Sequence, residues 1–302
     1  MSTDDKAIIF DLKRDCSEDV PGIRSTVFFK GCPLSCVWCH NPEGQDLQPS
    51  LSFDAALCRP TECGEACLSI CESNSIQKDN GTIFVDRKSC TSCMACCQVC
   101  PQDALSLIGR QVSLDELLYE LLIDQPFYQS SGGGVTLSGG EATMQMSFAS
   151  RLLRSLKSHN IHTTLETCGY FSYPRFQSEM LPYLDHIYFD LKLIDDRQSR
   201  QYTGQSNRLI LENFTRLLHE DGVTVIPRIP LVPGITATRD NLSGLADYLR
   251  KQQIDTCFLM PYNPLWQDKI ARLGLHSSYG RTTFMSTEEQ TACVEYFDCS
   301  CA

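Results

Sequence analysis

The chain has 302 residues, 42% hydrophobic and 21% charged, a globular composition with enough apolar material for one substantial core. Lys and Arg total 26 against 37 Asp and Glu, and the formal charge of -11 makes a nucleic-acid backbone an unexpected partner. No apolar run approaches the roughly 18 residues that a membrane-spanning helix needs. The opening stretch MSTDDKAIIFDLKRD does not read as an export signal, so a cytoplasmic location is expected. Cysteine dominates the rest: there are 18, and most fall between residues 32 and 100. Reduced cytosolic thiols that cluster in this way bind metal more often than they form disulfides.

Taken in chain order, the first predicted strand covers residues 24–29 (RSTVFF) and runs into Cys32-x3-Cys36-x2-Cys39. Three thiolates in so short a loop can wrap one face of a metal centre. On a four-iron cluster they leave one iron open to an outside ligand, whereas a structural zinc would need a fourth donor such as His40 or a distant cysteine. Trp38, beside the ligands, either shields the site or is a surface aromatic.

Residues 51–101 carry two further groups, Cys58-x4-Cys63-x3-Cys67-x3-Cys71 and Cys90-x2-Cys93-x2-Cys96-x3-Cys100-Pro101. The second is the bacterial ferredoxin run. The segment has few apolar runs and reads as a small ferredoxin-like domain held by metal. It is inserted between the core segments 1–50 and 102–302. In two-cluster ferredoxins the fourth cysteine of each run serves the other cluster. That rule assigns one [4Fe-4S] cluster to Cys58, Cys63, Cys67 and Cys100 and another to Cys71, Cys90, Cys93 and Cys96, with Cys97 able to stand in for Cys96. Cys16, Cys97, Cys168, Cys257, Cys293, Cys299 and Cys301 are left as free thiols. Chelation or a disulfide within the last three is the alternative.

Five more strands are predicted at 134–138, 161–165, 186–190, 223–229 and 256–260, mostly apolar enough to be covered on both faces. Between them lie helical patterns. Ser113 and Glu116 form a capping-box pair ahead of Leu114, Leu117, Leu118 and Leu121. Leu152, Leu153 and Leu156 follow. So do Leu211, Phe214, Leu217 and Leu218, and then Leu242, Leu245 and Leu249. A last helix starts at Ser286, with Glu289 three residues on. About six strand-helix units suit an α/β fold, a partial (β/α)6 TIM-like barrel, with functional residues at the C-terminal ends of the strands. The polar residues predicted there are Ser138-Gly139-Gly140-Glu141, Glu166, Asp190 with Lys192, and Arg228. The two glycines would let a ligand approach the backbone, and a buried Arg228 needs an anionic partner. Asn263, after the last strand, cannot serve as an acid or base near neutrality.

The cysteine loop resembles the signature of the radical S-adenosylmethionine (SAM) enzymes. The wider stretch Pro21-Gly22-Ile23-Arg24, Phe28-Phe29-Lys30-Gly31-Cys32 and Trp38-Cys39-His40-Asn41-Pro42-Glu43 is similar to the activating enzymes of glycyl radical enzymes, in the branch with an inserted two-cluster domain. Val20 stands where that family commonly has glycine. The resemblance implies three [4Fe-4S] clusters, one of them bound by Cys32, Cys36 and Cys39 and open to SAM. It implies a cofactor pocket at Ser138, Gly139, Gly140, Glu141, Glu166, Asp190, Lys192 and Arg228. A monovalent cation would lie near Asp190 and Glu166. The implied reaction is reductive cleavage of SAM to a 5'-deoxyadenosyl radical, which installs a glycyl radical on a partner enzyme. A flavodoxin or ferredoxin would donate the electron, and a monomer is expected. No Arg-Val-x-Gly-Tyr segment is present, so the acceptor glycine belongs to another chain. The alternatives are a radical SAM enzyme acting on a peptide or small molecule, an iron-sulfur electron carrier, and a zinc protein.

Overall fold

A computed structural model describes residues 5–16 and 22–297. Asp19, Val20 and Pro21 of the motif stretch, and Cys299 and Cys301 of the C-terminal trio, lie outside the described residues.

Strand β1 (Lys6–Cys16) runs antiparallel to β2 (Arg24–Phe29). Its Ala7 and Ile9 are 1% and 0% exposed, so alternate side chains enter the core. After β2 and the cysteine loop, β3 (Ser50–Phe53) opens a subsidiary unit that β6 (Leu105–Ile108) closes by antiparallel pairing. Between them lie short helices α1 (Pro60–Cys63), α2 (Ala66–Ile70) and α3 (Ala95–Gln98). A hairpin of β4 (Ile76–Asp79) and β5 (Thr82–Val85) separates α2 from α3. Its turn is Asn80-Gly81, both with positive φ, as the right-handed strand twist requires. The unit has a small core of its own, built on Leu51, Ile76, Ile83 and Leu105 with Cys67 and Cys96.

The chain returns through β7 (Arg110–Ser113), which pairs with β1. Helix α4 (Leu114–Leu122) starts at a complete Ser113–Glu116 capping box and buries Leu117 and Leu121, as the helical leucine spacing predicts. After α5 (Gln125–Ser131), strands and helices alternate. They are β8 (Gly134–Gly139), α6 (Met146–Ser158), β9 (His162–Thr167), α7 (Tyr173–Glu179), β10 (His186–Asp190), α8 (Asp196–Thr203) and α9 (Arg208–Leu217). The series ends with β11 (Thr224–Leu231), α10 (Arg239–Lys251), β12 (Phe258–Pro261), α11 (Trp266–Leu273) and α12 (Thr287–Val294).

The main sheet has the order β12-β11-β10-β9-β8-β2-β1-β7. The run from β2 to β12 is parallel throughout and contains all six predicted strands. The barrel is open, because β2 turns its free edge to the antiparallel pair β1–β7 instead of to β12. That pair was not among the predicted elements. The buried leucines of α6, α9 and α10 cover the outer face of the sheet.

The strand beginnings are closed by a charged plug. Arg24 is 2% exposed. It donates from Nε to Thr136 Oγ1 at 2.9 Å and from Nη2 to Thr164 Oγ1 and the Val135 carbonyl, both at 2.9 Å. The His162 ring, 3.3 Å away, packs edge-on against His186. Burial, and then Arg24, push the His162 pKa down to about 4, so the ring is neutral and accepts from the guanidinium. Arg24 of the Gly-Ile-Arg motif is thus far from the strand ends where chemistry is expected. The Arg24→Met protein should lose about 2–3 kcal/mol of stability through unsatisfied buried acceptors, read as a lower denaturant midpoint. An unchanged midpoint would show that the plug is dispensable.

Candidate active site at the strand ends

Beyond Phe29 the chain turns sharply into the cysteine loop, and its backbone is gripped from two sides. Lys30 is completely buried, and its Nζ donates to the Glu43 carbonyl at 2.8 Å and to Ser50 Oγ at 2.9 Å. Gly31 has φ +93 and donates to the Gly44 carbonyl at 2.8 Å. Gly140 N donates to the Phe29 carbonyl at 2.8 Å and Glu141 N to the Gly31 carbonyl at 2.7 Å. A Cβ on Gly140 would lie 2.2 Å from the Gly44 oxygen and 2.4 Å from the Gly31 oxygen, and one on Gly139 would lie 2.3 Å from Phe29 N. The glycine pair therefore makes room for the cysteine loop itself, which is a different reason from the ligand approach expected of it. From the other side, Ser35 N and Val37 N donate to the Thr203 and Tyr202 carbonyls at 2.8 and 3.0 Å. These are orphan carbonyls of the last turn of α8, so helix end and loop satisfy one another.

The loop walls a cavity of about 460 Å³ at the C-terminal ends of the parallel strands. Cys32, Cys36 and Cys39 line it, together with Ser138, Gly139 and Gly140. Trp38 is 4% exposed and lines it too, a buried aromatic and not a surface one. Burial pushes the thiols of Cys36 and Cys39 up, the latter to about 11. Such thiols ionise when a metal takes the proton's place. Among the described residues no three His, Cys, Asp or Glu converge to hold a single metal ion. The three thiols of the loop line an open space, an arrangement that a multi-iron core with one free corner fits.

Glu166, Asp190, Lys192 and Arg228, from β9, β10 and β11 and the turn after β10, come together on one wall. Arg228 donates from Nη1 to Glu166 Oε1 at 2.7 Å and from Nε to Asp190 Oδ1 at 2.9 Å. Lys192 Nζ donates to Asp190 Oδ2 at 2.9 Å, and Ser138 Oγ to Glu166 Oε2 at 2.5 Å. Burial works against ionisation of Asp190, but Arg228 and Lys192 outweigh it and hold the carboxyl below the usual range. Burial likewise works against the Lys192 ammonium, and Asp190 outweighs it. The guanidinium also lies over the Tyr188 ring, 5.1 Å from its centroid. Two anions and two cations thus meet in pairs within one cavity.

Glu141 does not join them. Its carboxylate is 1% exposed. It accepts from Thr143 Oγ1 at 2.8 Å, from Thr167 Oγ1 at 2.9 Å and from the Cys168 backbone N–H at 2.7 Å. It ties the ends of β8 and β9 together behind the wall. Cys168, expected to be an uninvolved thiol, lines the cavity instead. Asn263 and Tyr262 form its far rim. The signal for Cys168 was its place one residue beyond a strand end, two after Glu166.

In the subsidiary unit, Cys58, Cys63, Cys67 and Cys100 line one small cavity, and Cys71, Cys90, Cys93 and Cys96 line another. Cys97 lines neither. Cys93 is the exposed member of the second set.

A model of the radical SAM superfamily matches residues 89–242, and one of a 4Fe-4S single cluster domain matches residues 19–78. The choline trimethylamine-lyase activating enzyme of Oleidesulfovibrio alaskensis is 39% identical over 97% of this chain and 96% of its own. The trans-4-hydroxy-L-proline dehydratase activating enzyme of Clostridioides difficile is 37% identical over 88% of this chain and 87% of its own. The pyruvate formate-lyase 2-activating enzyme of Escherichia coli K12 is 38% identical over 90% of this chain and 82% of its own. Fold and site together define a radical SAM protein with an iron-sulfur domain. Within that class, the chain belongs to the activating enzymes of glycyl radical enzymes.

Replacing Gly140 by Ala should push the cysteine loop off the end of β8. The expected result is a fall in iron per protein beside an unchanged far-ultraviolet spectrum. Full iron retention would refute this account of the glycine pair.

Proposed function

We propose that the 460 Å³ cavity is where this activating enzyme binds and reductively cleaves SAM, on the way to a glycyl radical in a partner enzyme. The enzyme is an oxidoreductase of the activating type. One observation carries the reading: Cys32, Cys36 and Cys39 share a cavity with a paired set of two carboxylates and two cations, and no fourth thiol of their own loop closes it. Cys32, Cys36 and Cys39 would hold a [4Fe-4S] cluster, which would supply the electron for reductive cleavage of the sulfonium C–S bond of SAM.

The chain's own residues hold and orient the reactants. Ser138, Gly139 and Gly140 offer a hydroxyl and backbone to the cofactor's amino group. Lys192 and Arg228 are matched to its carboxylate, and Glu166 and Asp190 to its positive centres. The ion pairs among these four groups keep the charges oriented before the cofactor arrives, so little reorganisation is needed on binding. Glu141 acts at one remove, by fixing the ends of β8 and β9. Trp38 and Tyr262 cover the site and keep water from a reactive carbon. A monovalent cation would have to share Asp190 and Glu166 with Arg228 and Lys192, and those two side chains can fill its place.

The partner is a glycyl radical enzyme as a class. The relatives' names point to different ones at 37–39% identity. Residues 51–101 form the inserted domain of the proposal, between core segments 1–50 and 102–302, and hold two [4Fe-4S] clusters through the two cysteine sets above. A flavodoxin or ferredoxin is the proposed electron donor, and a cytoplasmic monomer the proposed form. Among the described residues no helix is long and apolar enough to cross a membrane.

Anaerobically reconstituted protein given dithionite and SAM should form 5'-deoxyadenosine. Cys36→Ala should form none while retaining the iron of residues 51–101, and product at the wild-type level would overturn the assignment. Asp190→Ala should weaken cofactor binding at least several-fold in an equilibrium titration, and equal affinity would remove Asp190 from the pocket. Cys93→Ala should lose iron from residues 51–101 and keep cofactor cleavage by dithionite. Unchanged iron and spectra would break the proposed cysteine pairing.

A further inference from the structure

Lys192 lies two residues beyond the end of β10, so ladder pairing does not hold it. Its backbone is fixed from α10 instead. Asn241, in the first turn of that helix, is 3% exposed and does not line the cavity. Its Nδ2 donates to the Lys192 carbonyl at 3.0 Å and to the Thr236 carbonyl at 2.8 Å, and its Oδ1 accepts from Ile194 N at 2.9 Å. An asparagine amide offers two donor hydrogens and one acceptor oxygen, and here each is used. The Thr236 hydroxyl in turn accepts from Val232 N at 2.6 Å and donates to the Pro230 carbonyl. Pro230 and Val232 line the cavity just beyond Arg228. One side chain thus joins the turn that carries Lys192 to the turn that follows Arg228. Asn207 holds the next two carbonyls, of Leu193 and Ile194, at 2.9 and 2.7 Å. On the other side of Lys192, Leu191 N donates to the Arg228 carbonyl at 2.8 Å.

We propose that Asn241 is a positioning residue for the cofactor: it fixes the backbone of Lys192 and so sets how well the ammonium meets the carboxylate of SAM. The proposal rests on the reading of this cavity as the SAM site and of Lys192 as a partner for that carboxylate. Lysine has a flexible four-carbon stem. Its Nζ, bonded to Asp190 Oδ2 at 2.9 Å, keeps its place only while the backbone beneath it does. Buried carbonyls need donors. Without the Asn241 amide, the Lys192 and Thr236 carbonyls would have to turn toward water or another donor, and the Lys192 stem would turn with them. An ammonium held in advance costs little to order when its ligand binds. Asn is a weak helix former, yet it stands on the buried face of α10 beside Leu242 and Leu245. Its contribution there lies in the bonds it makes outside the helix.

The test measures equilibrium binding of SAM and of decarboxylated SAM, which lacks the carboxylate, to the full chain reconstituted anaerobically, at matched iron content. The ratio of the two affinities reads recognition of the carboxylate. Lys192→Met should lower that ratio about tenfold, the worth of one hydrogen bond between charged partners. Asn241→Ala should lower it several-fold and leave the affinity for decarboxylated SAM unchanged. Asn241→Asp keeps the size of the side chain and the bond from Ile194 N, but its carboxylate withdraws both donors. It should show the same loss, and it carries the test if the alanine protein does not fold. Added to Lys192→Met, Asn241→Ala should lower the ratio no further. Wild-type ratios in the Asn241 proteins would overturn the proposal. So would an equal fall in both affinities, which marks general damage to the cavity, or a further fall in the double variant, which means that Asn241 acts by another route. A wild-type ratio in Lys192→Met would instead remove Lys192 from the carboxylate and take away the reading beneath the proposal, an outcome distinct from a Lys192-dependent ratio that Asn241 does not change.

Discussion

The close approach of Gly140 to the turn that joins Gly31 to Gly44 is the constraint on which the rest of the site depends. Two segments distant in the chain meet there backbone against backbone, with no space for a side chain between them, so that only glycine fits. The hydrogen bonds from Gly140 N and Glu141 N to the Phe29 and Gly31 carbonyls then lock the end of β8 to the start of the cysteine loop. The last turn of α8 holds the far side of the loop. Three thiols are thus presented from a rigid frame, and the same frame carries Glu141, which fixes β9 and Cys168 in turn. A Cβ at this point would misplace the ligand loop, the cavity wall and the thiol behind it together.

The two ends of the barrel treat buried charge in opposite ways. At the strand beginnings Arg24 is satisfied by hydroxyls, a carbonyl and a neutral imidazole. All of those partners belong to the sheet itself. At the strand ends the cations and anions are paired with one another. Breaking such pairs without replacement is costly, but a zwitterionic ligand can replace both kinds of partner at once. The first arrangement suits a plug, and the second suits a binding face held ready for a ligand.

The subsidiary unit is anchored to the cysteine loop through α11. Lys269 pairs with Glu43 at 2.7 Å and donates to the His40 carbonyl at 3.1 Å. Arg272 pairs with Asp54 at 2.9 Å, and Arg87 donates to the Arg272 and Leu51 carbonyls at 2.8 and 2.6 Å. One short helix thus joins β3, Arg87 and the loop that carries Cys39. The unit's own core is small and partly made of cysteine, so its order and that of the cysteine loop are mechanically linked through α11.

Much of this was legible in the sequence because it is local. Cysteine spacing identified the three-thiol loop and the two further groups, and continuous apolar runs located β2 and β8–β12 to within a few residues. Leucine periodicity found α4, α6, α9 and α10. Other elements left no such mark. Helix α8 (DRQSRQYT) buries only Ser199 and Thr203 and has no apolar stripe, although its last carbonyls seat the cysteine loop. Strands β1 and β7 become an antiparallel extension only through pairing with each other and with β2. The pattern of a single segment does not encode which edge it will meet. The same limit separates Glu141 from Glu166. Both follow strands and both are carboxylates, yet one is consumed by hydroxyls and a backbone N–H behind the wall while the other faces the cavity beside Arg228. Residue type and spacing determined what chemistry the chain can carry. Which side chains share a cavity, and which ones hold its walls, was decided by the meeting of segments far apart in the chain, and they meet only once the strands have paired in their final order.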